Sequence, residues 1–288
     1  MKTQFQGNPL IEIPKNIPSY NFLIGNFGKE FLEEYNGIVK SNYKDNSNLK
    51  VLKFTDNVIK GSNSYSIFLV NDILSKQGLR TATSSDVQKI VNKDKSFLSG
   101  IYVDLGIVLR TKNSPNEYLA KQLGKQAKER NYEFSNKSPL VFKASDLELI
   151  LDNNSDSGLG FKIKESANPF NASELNNRND GEKFNQTNEN GIPIFDNLKV
   201  TSKNANRTLY TREDGLSRFY LDWDSDLYSR SGNLANSNDD GRVVVAKDAE
   251  GVAQKILKDY AINLQKERDK QIDKINKKYE KALNFLIS

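Results

Sequence analysis

The sequence predicts an α+β protein, because helical and strand-like patterns follow one another in irregular order. A helical stripe of apolar residues covers residues 28–43, and a nearly continuous apolar run, typical of a central strand, covers 101–109. The sequence contains no regular strand–helix alternation, no GxGxxG or GxxxxGK[ST] motif and no tandem repeat. These observations argue against a doubly wound nucleotide-binding fold.

Three further helices are predicted after the first. The second covers 83–91, where Thr83 and Ser84 form a capping sequence ahead of apolar residues at helical spacing. The third covers 115–130 and the fourth, a long one, covers 248–286. The fourth has a short heptad-like seam formed by Ile272, Ile275, Tyr279, Ala282 and Leu286.

Short apolar segments predict further strands at 51–54, 140–142, 147–151, 159–163 and 243–246. The stretches 152–157 and 168–191 are rich in Asn, Asp and Gly and predict loops. From this order we expect an N-terminal extension with a helix over 1–64, a main domain over 65–246 and a C-terminal helix over 247–288.

The chain has no Cys and no His. This excludes disulfides, structural zinc sites, thiol nucleophiles and Ser-His-Asp triads, and it leaves carboxylates, Lys, Tyr and Mg²⁺ or Ca²⁺ for any catalysis. The net charge of +5 is mild. Between Lys247 and Lys281, ten basic residues alternate with seven acidic ones, a pattern typical of a solvated helix more than of a nucleic-acid-binding strip.

No apolar run is long enough to predict a transmembrane helix, and the N-terminus lacks the apolar stretch of a signal peptide. We therefore expect no membrane span. A cytoplasmic location is the default expectation, with surface association left open.

The segment 215–242 has an unusual composition. Its 28 residues include five Asp, five Ser, three Asn, two Tyr and Trp223, the only Trp of the chain. Tyr and Trp provide large contacts at low entropy cost, while Ser and Asn provide adaptable hydrogen bonds, as in an antibody paratope. Phe219, Leu221, Leu227 and Leu234 recur through the segment, so we expect buried apolar anchors beneath a polar, aromatic surface.

Two carboxylate patterns offer alternatives. Asp222, Asp224 and Asp226 alternate like the start of a calcium loop, but the Gly and Glu that an EF-hand needs later are absent. Asp152, Asp156, Asp239 and Asp240 could pair in space for acid–base chemistry, although Asp-Asn and Asp-Gly sequences are more often turns. A carboxylate- or metal-dependent hydrolase is thus the alternative function. A nucleic-acid-associated protein using the basic tail is a third.

Several motifs resemble a known family. They are Arg207-Thr-Leu-Tyr-Thr-Arg212, Gly215-Leu-Ser-Arg-Phe-Tyr-Leu221 and Asp240-Gly-Arg-Val-Val-Val245, with upstream matches at 71–83, 102–106, 116–121 and 191–195. They resemble the variable proteins of archaeal, nanoarchaeal-type diversity-generating retroelements. The resemblance covers about residues 65–246. It implies a C-type-lectin-like fold that displays residues diversified by error-prone copying of adenines, which converts Asn codons to Tyr, Asp, Ser and others.

The resemblance implies a non-enzymatic ligand-binding protein whose diversified surface lies at about 217–239. We expect it to bind an unidentified protein or glycan on another cell or virus, without a cofactor, a metal or nucleic acid. Calcium-lectin signatures are absent, so calcium-dependent sugar binding is not implied. The expected ligand-binding residues are Tyr220, Asp222, Trp223, Asp224, Asp226, Tyr228, Arg230, Ser231, Asn233, Asn236, Asn238 and Asp239.

Overall fold

A computed structural model describes residues 19–195 and 206–247 together with Ile272. Its chain divides into two units, residues 1–247 and 248–288. The described part of the first unit mixes helices and strands, which confirms the predicted α+β class. The long C-terminal helix predicted over 248–286 lies outside the described residues, apart from Ile272, which is helical.

The first unit has four α-helices among its described residues: α1 (Gly25–Asn42), α2 (Ser64–Ser75), α3 (Ser84–Lys93) and α4 (Glu117–Glu129). Three 3₁₀ turns cover Ser47–Leu49, Ser173–Leu175 and Asn177–Asn179. The start predicted for α3 is confirmed, because the Thr83 hydroxyl accepts from the Asp86 backbone N–H and the Asp86 carboxylate accepts from the Thr83 N–H. Asn63 and Ser66 cap α2 in the same reciprocal way.

Fifteen strands lie in the described residues, most of them short. They are β1 (Ser19–Phe22), β2 (Lys53–Thr55), β3 (Val58–Lys60), β4 (Arg80–Thr81), β5 (Tyr102–Leu109), β6 (Leu140–Lys143), β7 (Leu147–Leu151), β8 (Leu159–Ile163), β9 (Phe170–Asn171), β10 (Lys183–Phe184), β11 (Arg207–Tyr210), β12 (Leu216–Leu221), β13 (Leu227–Tyr228), β14 (Gly241–Arg242) and β15 (Val244–Lys247). The predicted strands at 140–142, 147–151 and 159–163 are confirmed.

The largest sheet is built around β5. Its strand order is β10-β11-β13-β12-β5-β14-β3-β2, and β6 joins β5 beside β14, with β9 beyond it. β5 pairs with β12 along one edge, while its other edge pairs with β14 at Tyr102 and Val103 and with β6 from Gly106 onward. Smaller sheets comprise β1-β15-β4 and β7-β8. The central position predicted for the 101–109 strand is confirmed.

β5 is buried on both faces because two apolar clusters lie against it. Ile107 and Leu109 belong to a cluster with α1, α2, α4 and the β7-β8 hairpin, whereas Val108 belongs to a second cluster with α3 and β15. This explains the continuous apolar run of β5, since alternation is expected only where one face meets water.

The N-terminal segment is part of the same compact unit as the rest. β1 pairs with β15 from Ser19 to Phe22, and Phe31, Tyr35 and Val39 of α1 share the core with α2. The described residues on both sides of position 64/65 thus belong to one compact unit. Sequence patterns missed this because β1 and β15 are separated by more than 200 residues.

Candidate ligand-binding surface

The predicted binding segment forms a β-hairpin, β12 to β13, followed by a loop that runs to β14. Leu221 pairs with Leu227 across the hairpin, and both are fully buried. Leu234 and Val243–Val245 are buried as well, which confirms the predicted apolar anchors. The segment therefore has a fixed backbone held from within by its aliphatic side chains.

A buried arginine joins the strands beneath this surface. Arg110 is fully buried, and its guanidinium donates to the hydroxyls of Ser217, Thr211 and Ser229 at 2.8 Å each, and to the Leu175 carbonyl at 3.3 Å. Each hydroxyl donates onward to a backbone carbonyl. Among the described residues no carboxylate pairs with Arg110, so hydrogen bonds alone compensate its burial, and burial lowers the pKa of its guanidinium.

The turn of the hairpin accounts for the alternating aspartates. The Asp222 carboxylate accepts from the backbone N–H groups of Asp226 at 3.1 Å and Asp224 at 3.3 Å. Ser225 has a left-handed φ of +62°. Asp222 thus closes a local Asx turn, the structural role that such residues favour in turns.

Asp226 was expected to bind ligand, but the structure buries it. The residue is 8% exposed, and its carboxylate accepts a hydrogen bond of 2.5 Å from the Thr208 backbone N–H. This bond joins the end of the turn to β11. Asp226 therefore stabilises the scaffold, and its burial leaves little of it exposed at the surface.

Four tyrosines form a row across adjacent strands of the large sheet, which we call the tyrosine row: Tyr210 of β11, Tyr228 of β13, Tyr220 of β12 and Tyr102 of β5. The ring of Tyr228 is stacked on Tyr210 at 4.5 Å and on Tyr220 at 4.9 Å. Tyr102 meets Tyr220 edge-on at 6.1 Å. All four are half-buried. Cross-strand neighbours of this kind stabilise a sheet and fix their own rings.

Two arginines lie on the rings of the row. Arg218 is buried, bonds to the Asp104 carboxylate through Nε and Nη2, and sits between Tyr102 and Tyr220 at 4.7 and 4.6 Å from the ring centroids. Arg230 is exposed and lies 4.4 Å from the centroid of Tyr210. The first is a structural ion pair, whereas the second keeps its charge at the surface.

A shallow cleft of about 630 Å³ opens beside the row. We call it the row cleft, and it is lined by Asn177, Thr211, Arg212, Glu213, Tyr220, Tyr228, Arg230 and Ser231. Four of the predicted residues, Tyr220, Tyr228, Arg230 and Ser231, are thus brought together.

The other predicted residues border different surfaces. Trp223, 59% exposed, and Asp224 line a second cleft of about 510 Å³ with Lys95 and Arg207. Asn233 lines a third, of similar volume, with Tyr118 and Asp156. Asn236, Asn238 and Asp239 are exposed on the loop before β14. The predicted set is therefore distributed along the segment and does not surround one cleft.

Several residues of this surface were not predicted: Tyr102, Tyr210, Arg212, Asp104 and Arg110. Three of them lie on or next to β5, about 100 residues before the segment in sequence, and two lie on or just after β11, only a few residues before it. Only the pairing of β5 and β11 with the hairpin brings them to it. Tyr102, Asp104, Tyr210 and Arg212 lie within the motifs quoted at 102–106 and 207–212, but nothing in those motifs marks them as part of this surface.

Burial shifts the titration of the hairpin. It raises the pKa of Asp222 to about 6, with the nearby Asp226 carboxylate adding to the effect. Burial likewise raises the pKa of Tyr228, whose hydroxyl bonds to Asp222, and that of Tyr220.

Two of the carboxylates singled out for a hydrolase have other partners. Asp152 accepts from the Tyr118 hydroxyl, and Asp239 pairs with Lys53 at 3.4 Å. Across the described ranges, no group of three or more acidic side chains is arranged to hold a metal ion. Within those same residues, no helix has the length and apolarity needed to cross a membrane.

The chain was compared with known proteins by sequence and by structure. It matches no family model, no curated protein and no solved structure.

Proposed function

We propose that this protein is a non-enzymatic ligand-binding protein that displays variable side chains of residues 217–239 on a fixed scaffold. The observation that carries the proposal is the separation of buried and exposed side chains within the segment. Leu221, Leu227 and Leu234 are buried, while Tyr228, Arg230 and Trp223 face clefts at the surface. Such a separation lets surface residues change without loss of the fold.

We further propose that it is a variable protein of an archaeal diversity-generating retroelement with a C-type-lectin-like fold. The motifs around 207–221 and 240–245 support this, as does the Asp, Ser, Asn and Tyr content of the segment. Ser217, Ser229 and Asp226 form buried hydrogen bonds, which restricts the residues that can replace them. These three positions should stay constant even though their residue types belong to the diversified set.

Sequencing the locus and its flanking DNA in several isolates tests the proposal. We expect a nearby noncoding near-copy of the segment, with substitutions at adenines concentrated in the codons for Tyr220, Trp223, Tyr228, Arg230 and Asn236. Codons for the buried leucines serve as the internal control and should be invariant. Substitutions spread evenly over the gene, or an invariant segment, would contradict the proposal.

A further inference from the structure

We propose that the row cleft binds an acidic segment of a protein partner through Arg230. This inference rests on the proposed ligand-binding function and names the chemistry of the partner. It begins from the charges that line the cleft. The charged residues that line it are two arginines, Arg212 and Arg230, and one acidic residue, Glu213.

Among the described residues, neither arginine forms an ion pair, because no carboxylate there lies within ion-pair distance of Arg212 or Arg230. The Arg212 side chain instead donates to the backbone carbonyls of Asp214 at 3.0 Å and Arg230 at 2.8 Å. It thereby fixes the main chain that carries Arg230 and adds positive charge beside it.

Arg230 is prepared for a carboxylate. Its guanidinium lies on the ring of Tyr210, at 4.4 Å from the centroid, and 5.8 Å from that of Tyr228. When a guanidinium stacks on a ring, the N–H groups in its plane stay free to donate to a ligand. Two of them can donate to the two oxygens of one carboxylate. Stacking also restricts the side chain before binding, which reduces the entropy lost in the complex.

The tyrosine row favours a protein over a sugar or a nucleotide. The ring of Tyr228 is covered on both sides by Tyr210 and Tyr220, so the row offers ring edges and hydroxyl groups more than free faces. A base or sugar that binds by stacking needs an exposed ring face. The cleft is also shallow, and Tyr with Arg is the combination that dominates protein–protein hot spots.

The test uses the full 288-residue chain, immobilised, and a random dodecapeptide phage library. We expect enriched peptides to contain more Asp and Glu than the starting library. One synthetic peptide is then measured by fluorescence anisotropy against the wild type, Arg230→Gln and Lys125→Gln. Lys125→Gln is the matched control, because its side chain is 75% exposed on α4 and lines none of the three clefts.

We expect Arg230→Gln to weaken binding on the order of tenfold and Lys125→Gln to leave it unchanged. Replacing the acidic residues of the peptide by their amides should have the same effect as Arg230→Gln. Inorganic phosphate and polygalacturonate, added at equal charge, should not displace the peptide. Displacement by either would overturn the assignment to a protein partner.

The failure of this inference can be told apart from that of the proposed function. Peptides that lose binding with Trp223→Ala but bind Arg230→Gln normally would overturn the row cleft as the acidic site and leave the display function standing. If no enriched peptide depends on Arg230, this inference fails, whereas the proposed function fails only if the locus shows an invariant segment.

Discussion

The burial of Asp222 makes the stability of the fold depend on pH. Its pKa is raised to about 6 in the folded protein, whereas an unfolded aspartate titrates near 3.9. The folded state therefore binds the proton more tightly. Protonation of Asp222 therefore stabilises the folded state. This contribution is fully present below about pH 4 and is lost as the pH rises through 6.

We expect Asp222→Asn to raise the melting temperature at pH 7.5 and to have little effect at pH 4. The amide keeps an oxygen for the two N–H groups of the turn and removes the charge. Because the side chain is only half-buried, the gain should be on the order of 1 kcal/mol. Asp224→Asn, on the exposed tip of the same turn, is the control. A gain at pH 4 equal to that at pH 7.5 would rule out the electrostatic explanation.

Arg110 is the second residue whose chemistry depends on its position. Its planar guanidinium reaches three hydroxyls, one on β12 and two just after β11 and β13, and a carbonyl of the 3₁₀ turn at Ser173–Leu175. We expect Arg110→Lys to lower the free energy of unfolding by about 2–4 kcal/mol, because an ammonium cannot satisfy all four acceptors. Urea denaturation measures the change, with the exposed Arg178→Lys as control. Equal stability of the two variants would show that the hydroxyls are satisfied without Arg110.

At the scale of elements, the branch point of the large sheet depends on Gly106. It has φ of +153°, and a Cβ at this position would clash with the Phe142 carbonyl oxygen of β6. The close approach of β5 and β6 therefore needs a residue without a side chain. No such requirement exists at Gly37, an exposed position of α1 where an added Cβ would meet no atom within 4 Å.

We expect Gly106→Ala to lower the free energy of unfolding by about 2–4 kcal/mol through strain and the loss of β5–β6 pairing. Gly37→Ala should instead stabilise the protein by about 0.5–1 kcal/mol, because alanine favours the helix. Denaturation of the two variants side by side provides the measurement. Two variants with the same sign of change would contradict the argument.

For the whole molecule, the proposed display function predicts that surface and scaffold respond differently to mutation. The triple variant Trp223→Ser, Asp224→Ser and Asn236→Ser should change the free energy of unfolding by no more than about 0.5 kcal/mol per site. Leu227→Ala, which empties a buried position in the same segment, should cost about 2–5 kcal/mol. Calorimetry compares them, and a triple variant that fails to fold would show that these side chains are structural.

Tyr228 belongs to both groups, the surface and the scaffold. Its ring stacks with two neighbours, and its hydroxyl bonds to Asp222, so we expect its removal to weaken both the fold and the binding of ligand. The segment thus contains display residues, scaffold residues and residues that serve both.

Local patterns in the chain were enough to predict the α+β class, the helices near 28–43, 83–91 and 115–130, and the central strand at 101–109. These features have local causes: apolar spacing, a capping sequence and an uninterrupted apolar run. The aliphatic anchors of the 215–242 segment were predictable for the same reason, since their recurrence among polar residues is visible in the chain. The run 65–74 was not assigned, because α2 is buried on almost all sides and so lacks an amphipathic pattern.

Which residues form the candidate surface, by contrast, depends on how the strands pair. Tyr102, Tyr210, Tyr220 and Tyr228 lie on four strands, and their stacking follows from strand order and register, which the sequence does not specify locally. Asp226 looks like its neighbours in the sequence, yet it is buried because β11 lies beside the turn. Side chains meet through long-range pairing, and burial, which sets their charge and exposure, is a property of the whole fold.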